Sequence, residues 1–180
     1  MIAALQQLNP AGHFRIVDCR SRLNAFANVA KGGGTENESN YTKCQMDFVG
    51  IDNIHVMRES LHRLSQRGSP LFACSWLEHL EAIILSAADL SRILDEAGES
   101  VLVHCSDGWD RTPQLCSLAQ ILLDPFFRTM HGFQILIEKE WVRRYCPAGL
   151  PLDLTEAAAP FWTQICGQMW PWCGRLLEVC

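Results

Sequence analysis

The residues of this chain best suited to covalent chemistry lie in one short stretch, His104-Cys105-Ser106-Asp107-Gly108-Trp109-Asp110-Arg111-Thr112. Within it a cysteine precedes an arginine with five residues between them. The run before it, Ser100-Val101-Leu102-Val103-His104, reads as a buried strand. The residues after it read as the start of a helix, with Thr112 as the cap and Pro113 in the first turn. A tight turn between a strand and a helix N-terminus aims several backbone N–H groups inward and forms a nest for an anion. The same nest favours the thiolate of a cysteine at its base. Arg111 supplies a planar, two-pronged donor for phosphate oxygens. Gly108 lets the backbone bend and approach them closely. The chemistry expected of such a loop is attack of Cys105 on phosphorus, followed by hydrolysis of the phosphocysteine. The leaving alkoxide then needs a general acid. Asp107 and Asp110 both lie inside the loop, and Asp110 is favoured. Its neighbour Arg111 favours the ionised form and argues against an acid role unless desolvation wins, so Asp107 stays a rival.

A free cysteine after a strand is most often a buried structural thiol, and a bare Cys-x5-Arg arises by chance. The preceding strand, the Thr-Pro helix start and the internal glycine together favour chemistry. Thr112 is placed to bond the sulfur or the loop. His104 is expected to orient the loop by hydrogen bonding rather than to titrate. The chain has nine cysteines, no two closer than seven positions, so no CxxC pair is present. The other eight are expected to be core or surface thiols. The odd count, with no secretory signal at the start, points to reduced thiols in a cytosolic setting.

The elements that must position this loop can be read from the pattern of apolar residues. Phe14 to Asp18 and Cys44 to Val49 are expected strands, and Asn24 to Asn40, with Lys31-Gly32-Gly33-Gly34, an expected long loop. His55 to Arg67 has helical spacing through Val56, Met57, Ser60, Leu61 and Leu64, with Asp52 or Asn53 as cap. Ser75 to Ala97 is the strongest helix. Its apolar face is Trp76, Leu77, Leu80, Ile83, Ile84, Ala87, Leu90, Ile93 and Leu94, with Ser75 and Glu78 as a capping box and Gly98 as the stop. After the loop, Leu115, Leu118, Ala119, Leu122 and Leu123 form a helical face that Asp124-Pro125 ends, and a further helix covers Gly132 to about Trp141.

At 180 residues, with 48% apolar and 19% charged residues, the chain suits a globular domain with a core. The net charge of −5 gives no global attraction for nucleic acid or an anionic membrane, so affinity for a phosphorylated substrate must be local. No apolar run reaches the roughly 18 residues of a membrane span, which leaves peripheral contact as the expected mode.

HCSDGWDRT resembles the signature of the active myotubularins, lipid phosphatases that act on the 3-phosphate of phosphatidylinositol 3-phosphate and phosphatidylinositol 3,5-bisphosphate. The likeness continues in order through IVDCRSRLNAFANVAKGGGTENESNY, FVGIDNIHVMRESL, SWLEHL and RTMHGFQILIEKEW, covering roughly Asn9 to Trp141. The resemblance implies that Cys105 is the nucleophile, Arg111 the phosphate clamp and Asp110 the acid. It implies that Ser106, Asp107, Gly108, Trp109, Asp110 and Arg111 line the phosphate site. It places Asn28, Asn53 and Ile54 against the inositol headgroup. From the residues alone, Asn28 reads as a loop residue bonding its own backbone and Asn53 as a helix cap.

The implied fold is α/β, a cysteine-phosphatase-like, mostly parallel central sheet flanked by helices, here truncated. Residues 1–141 are expected to be a partial catalytic domain. Residues 142–180, where Val142-Arg143-Arg144-Tyr145-Cys146-Pro147 departs from the family's continuation, are expected to be a divergent tail. The family's N-terminal lipid-binding domain and the rest of its large phosphatase domain are absent, so the sequence reads as a fragment or variant. No metal and no cofactor is expected. The expected partners are a phosphoinositide headgroup, a membrane surface touched peripherally, and another myotubularin in a hetero-oligomer, at endosomal membranes in the cytoplasm. Two alternatives are a weak or inactive fragment that binds a headgroup or partner, and a protein tyrosine phosphatase. The acidic loop and the matches around Asn28 and Asn53 weigh against the second.

Overall fold

In a computed structural model, residues 13–29, 33–65 and 75–142 are described. The expectations for Lys31 and Gly32, for the helix end at Arg67 and for the tail beyond Val142 lie outside these residues.

Three short apolar runs become strands: β1 (Phe14–Asp18), β2 (Cys44–Phe48) and β3 (Ser100–His104). They form one parallel sheet in the order β2-β1-β3. Parallel strands cannot be joined by a tight turn, which is why helical segments lie between β1 and β2 and between β2 and β3. The central strand is the most buried; only Arg15 is partly exposed. That guanidinium ties the sheet together, with Nε donating to Glu99 at 2.8 Å and an Nη to Asp47 at 2.5 Å. Side chains alternate between the faces. Val17, Val101 and Val103 enter the main core with Ile51, Met57, Trp76, Ile83, Ala87, Leu90, Leu115 and Ala119. Phe14, Ile16 and Leu102 enter a smaller cluster with Met46 on the opposite face.

Five α-helices are described: α1 (Arg22–Ala27), α2 (Ile54–Ser65), α3 (Trp76–Asp95), α4 (Arg111–Leu123) and α5 (Met130–Ile137). Among the described elements, α3 and α4 share the most extensive packing. The α/β class and the parallel sheet flanked by helices agree with the sequence reading.

Several local expectations are corrected. The expected loop from Asn24 contains most of α1, because Ser21 Oγ accepts from Asn24 N–H at 3.2 Å and caps a run rich in helix formers. No capping box starts α3: Ser75 sits at φ +50 and its side chain makes no cap bond. Thr112 does not cap α4 either, since the helix already begins at Arg111. Gly98 does stop α3, in the left-handed region at φ +62, with Glu99 N–H returning to the Ile93 carbonyl at 3.3 Å. α5 starts two residues early, where Thr129 Oγ1 accepts from Gly132 N–H at 3.0 Å. It then widens into a π-turn over Glu138–Val142. That turn brings Glu140 and Trp141 onto α4, where Gln120 Nε2 donates to Glu140 at 3.0 Å and Trp141 Nε1 donates to Ser117 Oγ at 2.9 Å. Leu77, Ile84, Val56, Leu122 and Leu123, expected to share the apolar faces, are exposed.

Candidate active site

Cys105 is the first residue beyond β3, at the sheet's C-terminal end, and the bend from 106 to 110 carries the chain into α4. The turn needs Gly108, whose φ of +80 lies in the region that side chains disfavour. This conformation aims Gly108 N–H at the Cys105 sulfur, 3.2 Å away. Burial of the sulfur opposes ionisation. The Thr112 hydroxyl and the backbone N–H groups of Thr112, Gly108 and Asp107 outweigh it, and the thiol ionises below the ordinary cysteine range. Thr112 therefore serves the sulfur instead of the helix end. Its hydroxyl is buried and makes no bond of ordinary geometry, which leaves it free to turn toward an anionic sulfur.

Arg111 is buried at the first turn of α4. One Nη donates to Ser106 Oγ at 3.1 Å, so the guanidinium spans the loop from end to start. Its Nε is buried without a partner. A buried, unsatisfied donor beside a thiolate suits an anionic oxygen of a bound substrate.

The two loop carboxylates differ sharply. Asp107 is exposed. Asp110 is buried, with Oδ1 accepting from Gln114 Nε2 at 2.8 Å and Oδ2 from the Ile54 backbone N–H at 3.2 Å. The second bond joins residues 56 positions apart and brings the start of α2 to the loop. Asn53 caps that start, its Oδ1 accepting from His55 N–H at 2.9 Å and Val56 N–H at 3.3 Å. Asn53 and Ile54 thus stand beside the Cys105 loop. Asn28 instead closes α1: its N–H donates to the Ala25 carbonyl, and its own carbonyl accepts from Gly33 N–H at 3.0 Å. Trp109 is half-buried in the bend.

Beneath the loop lies a buried charge pair that no sequence motif announces. Asp18 at the end of β1 is fully buried, and Arg20 donates to both its oxygens, at 2.9 Å from Nε and 2.6 Å from Nη2. The same Nη2 donates to the Gly34 carbonyl at 2.8 Å and anchors that segment to the sheet. His104 places Nδ1 3.1 Å from the Cys105 carbonyl, which can only accept, so Nδ1 carries the hydrogen. That contact fits the orienting role expected of it. Gln114 was also missed, although its position four residues after Asp110 on a helix makes the two natural neighbours.

Residues 1–146 match the model for the myotubularin-like phosphatase domain. The chain is 46% identical over 154 residues to the mouse phosphatidylinositol-3-phosphate phosphatase MTMR7, covering 79% of this chain and 23% of that protein. It is 48% identical over 154 residues to the human phosphatidylinositol-3,5-bisphosphate 3-phosphatase MTMR8, covering 79% and 22%. It is 46% identical over the same length to mouse MTMR6, a phosphatidylinositol-3,5-bisphosphate 3-phosphatase, covering 79% and 25%. The chain spans about a quarter of the length of the curated relatives it matches.

Proposed function

Since this chain belongs to the myotubularin-like phosphatase family, we propose that it is the catalytic segment of a phosphoinositide 3-phosphatase. Its substrates would be phosphatidylinositol 3-phosphate and phosphatidylinositol 3,5-bisphosphate, the lipids for which its relatives are named. One observation carries the reading: the Cys105 sulfur is held as a low-pKa thiol by inward N–H groups, with a buried arginine beside it in the same loop.

In this mechanism the phosphate oxygens enter the nest, and Arg111 Nε and Nη donate to them. The Cys105 thiolate attacks phosphorus in line as the bond to the inositol oxygen breaks. Asp110 protonates that oxygen and afterwards takes a proton from the water that cleaves the phosphocysteine. Asp110 is preferred to Asp107 because two fixed donors hold its carboxylate, whereas Asp107 is exposed. Asn53 and Ile54 border the headgroup from the start of α2, and Asn28 from the end of α1. The chemistry needs no metal and no cofactor. The enzyme works peripherally at the cytoplasmic face of endosomal membranes and pairs there with another myotubularin.

The test is release of inorganic phosphate from short-chain phosphatidylinositol 3-phosphate, phosphatidylinositol 3,5-bisphosphate and a phosphotyrosine peptide. Release from the lipids, abolished by Cys105→Ser and by Arg111→Ala, is the expected result. Preference for the peptide would point to a protein phosphatase. Lipid binding that survives Cys105→Ser, with no release by the folded wild type, would refute the enzymatic reading and point instead to a headgroup-binding protein without turnover.

A further inference from the structure

Asp18 of β1 and His104 of β3 are paired in the parallel register. The next residue on each chain is a cysteine, Cys19 and Cys105. The ladder reaches this level, since Cys19 N–H donates to the His104 carbonyl at 2.8 Å. Neighbouring strands lie about 4.8 Å apart. Residues at one register level also point to the same face, so the two cysteines share the face of Val17 and Val103. Both belong to the main core cluster there, Cys19 fully buried and Cys105 nearly so. A strand spacing of about 4.8 Å falls inside the roughly 4.4–6.8 Å span of Cα atoms that a disulfide bridges. The Thr112 hydroxyl bears on both sulfurs, and the charge of Cys105 helps push the Cys19 thiol upward. Cys19 thus stays protonated beside an ionised neighbour.

We propose that Cys19 is a redox site, the resolving partner that captures Cys105 in a reversible disulfide when a hydroperoxide oxidises the nucleophile. The proposal rests on reading Cys105 as an ionised nucleophile and is independent of which phosphate ester it attacks. In the first step the Cys105 thiolate attacks the peroxide. The O–O bond breaks, sulfur loses two electrons and becomes a sulfenic acid, and the other oxygen leaves as hydroxide and is protonated to water. In the second step the Cys19 sulfur attacks the sulfenic sulfur. The S–S bond forms, the S–O bond breaks, and the departing hydroxide takes the Cys19 proton as water. A dithiol reverses the bond. The consequence is protection, because a sulfenic acid with no thiol in reach proceeds to the irreversible sulfinic acid.

The experiment oxidises the reduced 180-residue chain with hydrogen peroxide, blocks remaining thiols and digests with trypsin. Cys19, Cys105 and Cys116 fall in separate peptides, Ile16–Arg20, Ile93–Arg111 and Thr112–Arg128, each with a single cysteine. The expected product links the first two. It should be lost in urea, where pairing spreads over all the cysteines. Cys19→Ala and Cys19→Ser should each forfeit the Cys105 thiol that dithiothreitol recovers in the wild type, and convert it to sulfinic acid. Linkage of Cys105 to Cys116 or to any other cysteine would overturn the proposal. So would sulfinic acid at Cys105 with Cys19 still free, or an unchanged pattern in urea. None of these readouts uses phosphatase activity, so an inactive chain would sink the functional reading and leave this one standing.

Discussion

Replacing Gln114 by leucine separates what holds the loop together from what makes it work. The substitution removes the 2.8 Å bond to Asp110 Oδ1. A bond to a charged acceptor contributes about 1.5–3 kcal/mol. Yet Gln114 also buries Oε1 with no partner, which costs about 1–3 kcal/mol already. Leucine abolishes that cost, has similar volume, and adds apolar contact at a buried site. The terms nearly cancel, so the urea-unfolding stability should move by less than about 1 kcal/mol. Catalysis should not be spared. The Asp110 carboxylate loses the donor on Oδ1 while the Ile54 N–H on Oδ2 remains, and the proton it handles is aimed less well. We expect kcat for phosphate release to fall about tenfold, equivalent to ~1.4 kcal/mol, with KM little changed. Loss of more than about 3 kcal/mol in stability would refute the cancellation. Full turnover in a folded variant would refute the view that this bond aims the carboxylate.

Alkylation of Cys105 by iodoacetamide should rise with pH to a midpoint below the ordinary thiol value of about 8.5, because only the thiolate reacts and the loop lowers its pKa. Since the folded value is the depressed one, its stabilising effect is present above the unfolded value and fades as pH falls through the folded one. Thr112→Val should move the alkylation midpoint upward. Gly132→Ala would place a methyl 2.0 Å from the Phe126 carbonyl oxygen, so a thermal melt should show a loss of about 2 kcal/mol or more despite alanine's better helix propensity. Glu99→Gln should cost about 1 kcal/mol at neutral pH, since the Arg15 bond that lowers the Glu99 pKa is only partly buried. In the wild type that contribution should be lost as pH falls below the ordinary glutamate value, so the stability difference between wild type and variant should shrink over the same range.

What the sequence makes legible here is local. The runs 14–18 and 100–104 announce strands because apolar and β-branched residues suit a buried sheet, 44–48 does so because apolar and polar residues alternate, and Gly98 announces a helix stop because a left-handed turn suits glycine. The Cys105 loop is legible for the same reason, since thiol, glycine and arginine lie within one turn. The errors arise where a side chain had two uses. Thr112 reads both as a helix cap and as a partner of the sulfur, and the cap reading fails because the helix begins one residue earlier. Ser75 reads as a cap too, but φ +50 turns it away. The bond from Ile54 to Asp110 joins distant parts of the chain. Nothing in either local sequence reveals it; only the resemblance put Ile54 near the site. Gln114 and the Asp18–Arg20 pair were passed over because a buried polar residue reads the same as an exposed one until its partners are known.

The attachment of Asp110 to the first N–H of α2 has an electrostatic consequence. A helix carries a partial positive charge at its N-terminus. α4 begins beside Cys105, and the Thr112 N–H in its first turn favours the ionised sulfur. α2 begins under Asp110. Asp110 is also the residue that precedes α4, so its carboxylate stands at the positive ends of two helices, whereas the thiolate five positions earlier meets that of α4. The second helix gives the carboxylate a support that does not compete with the nucleophile for the same dipole.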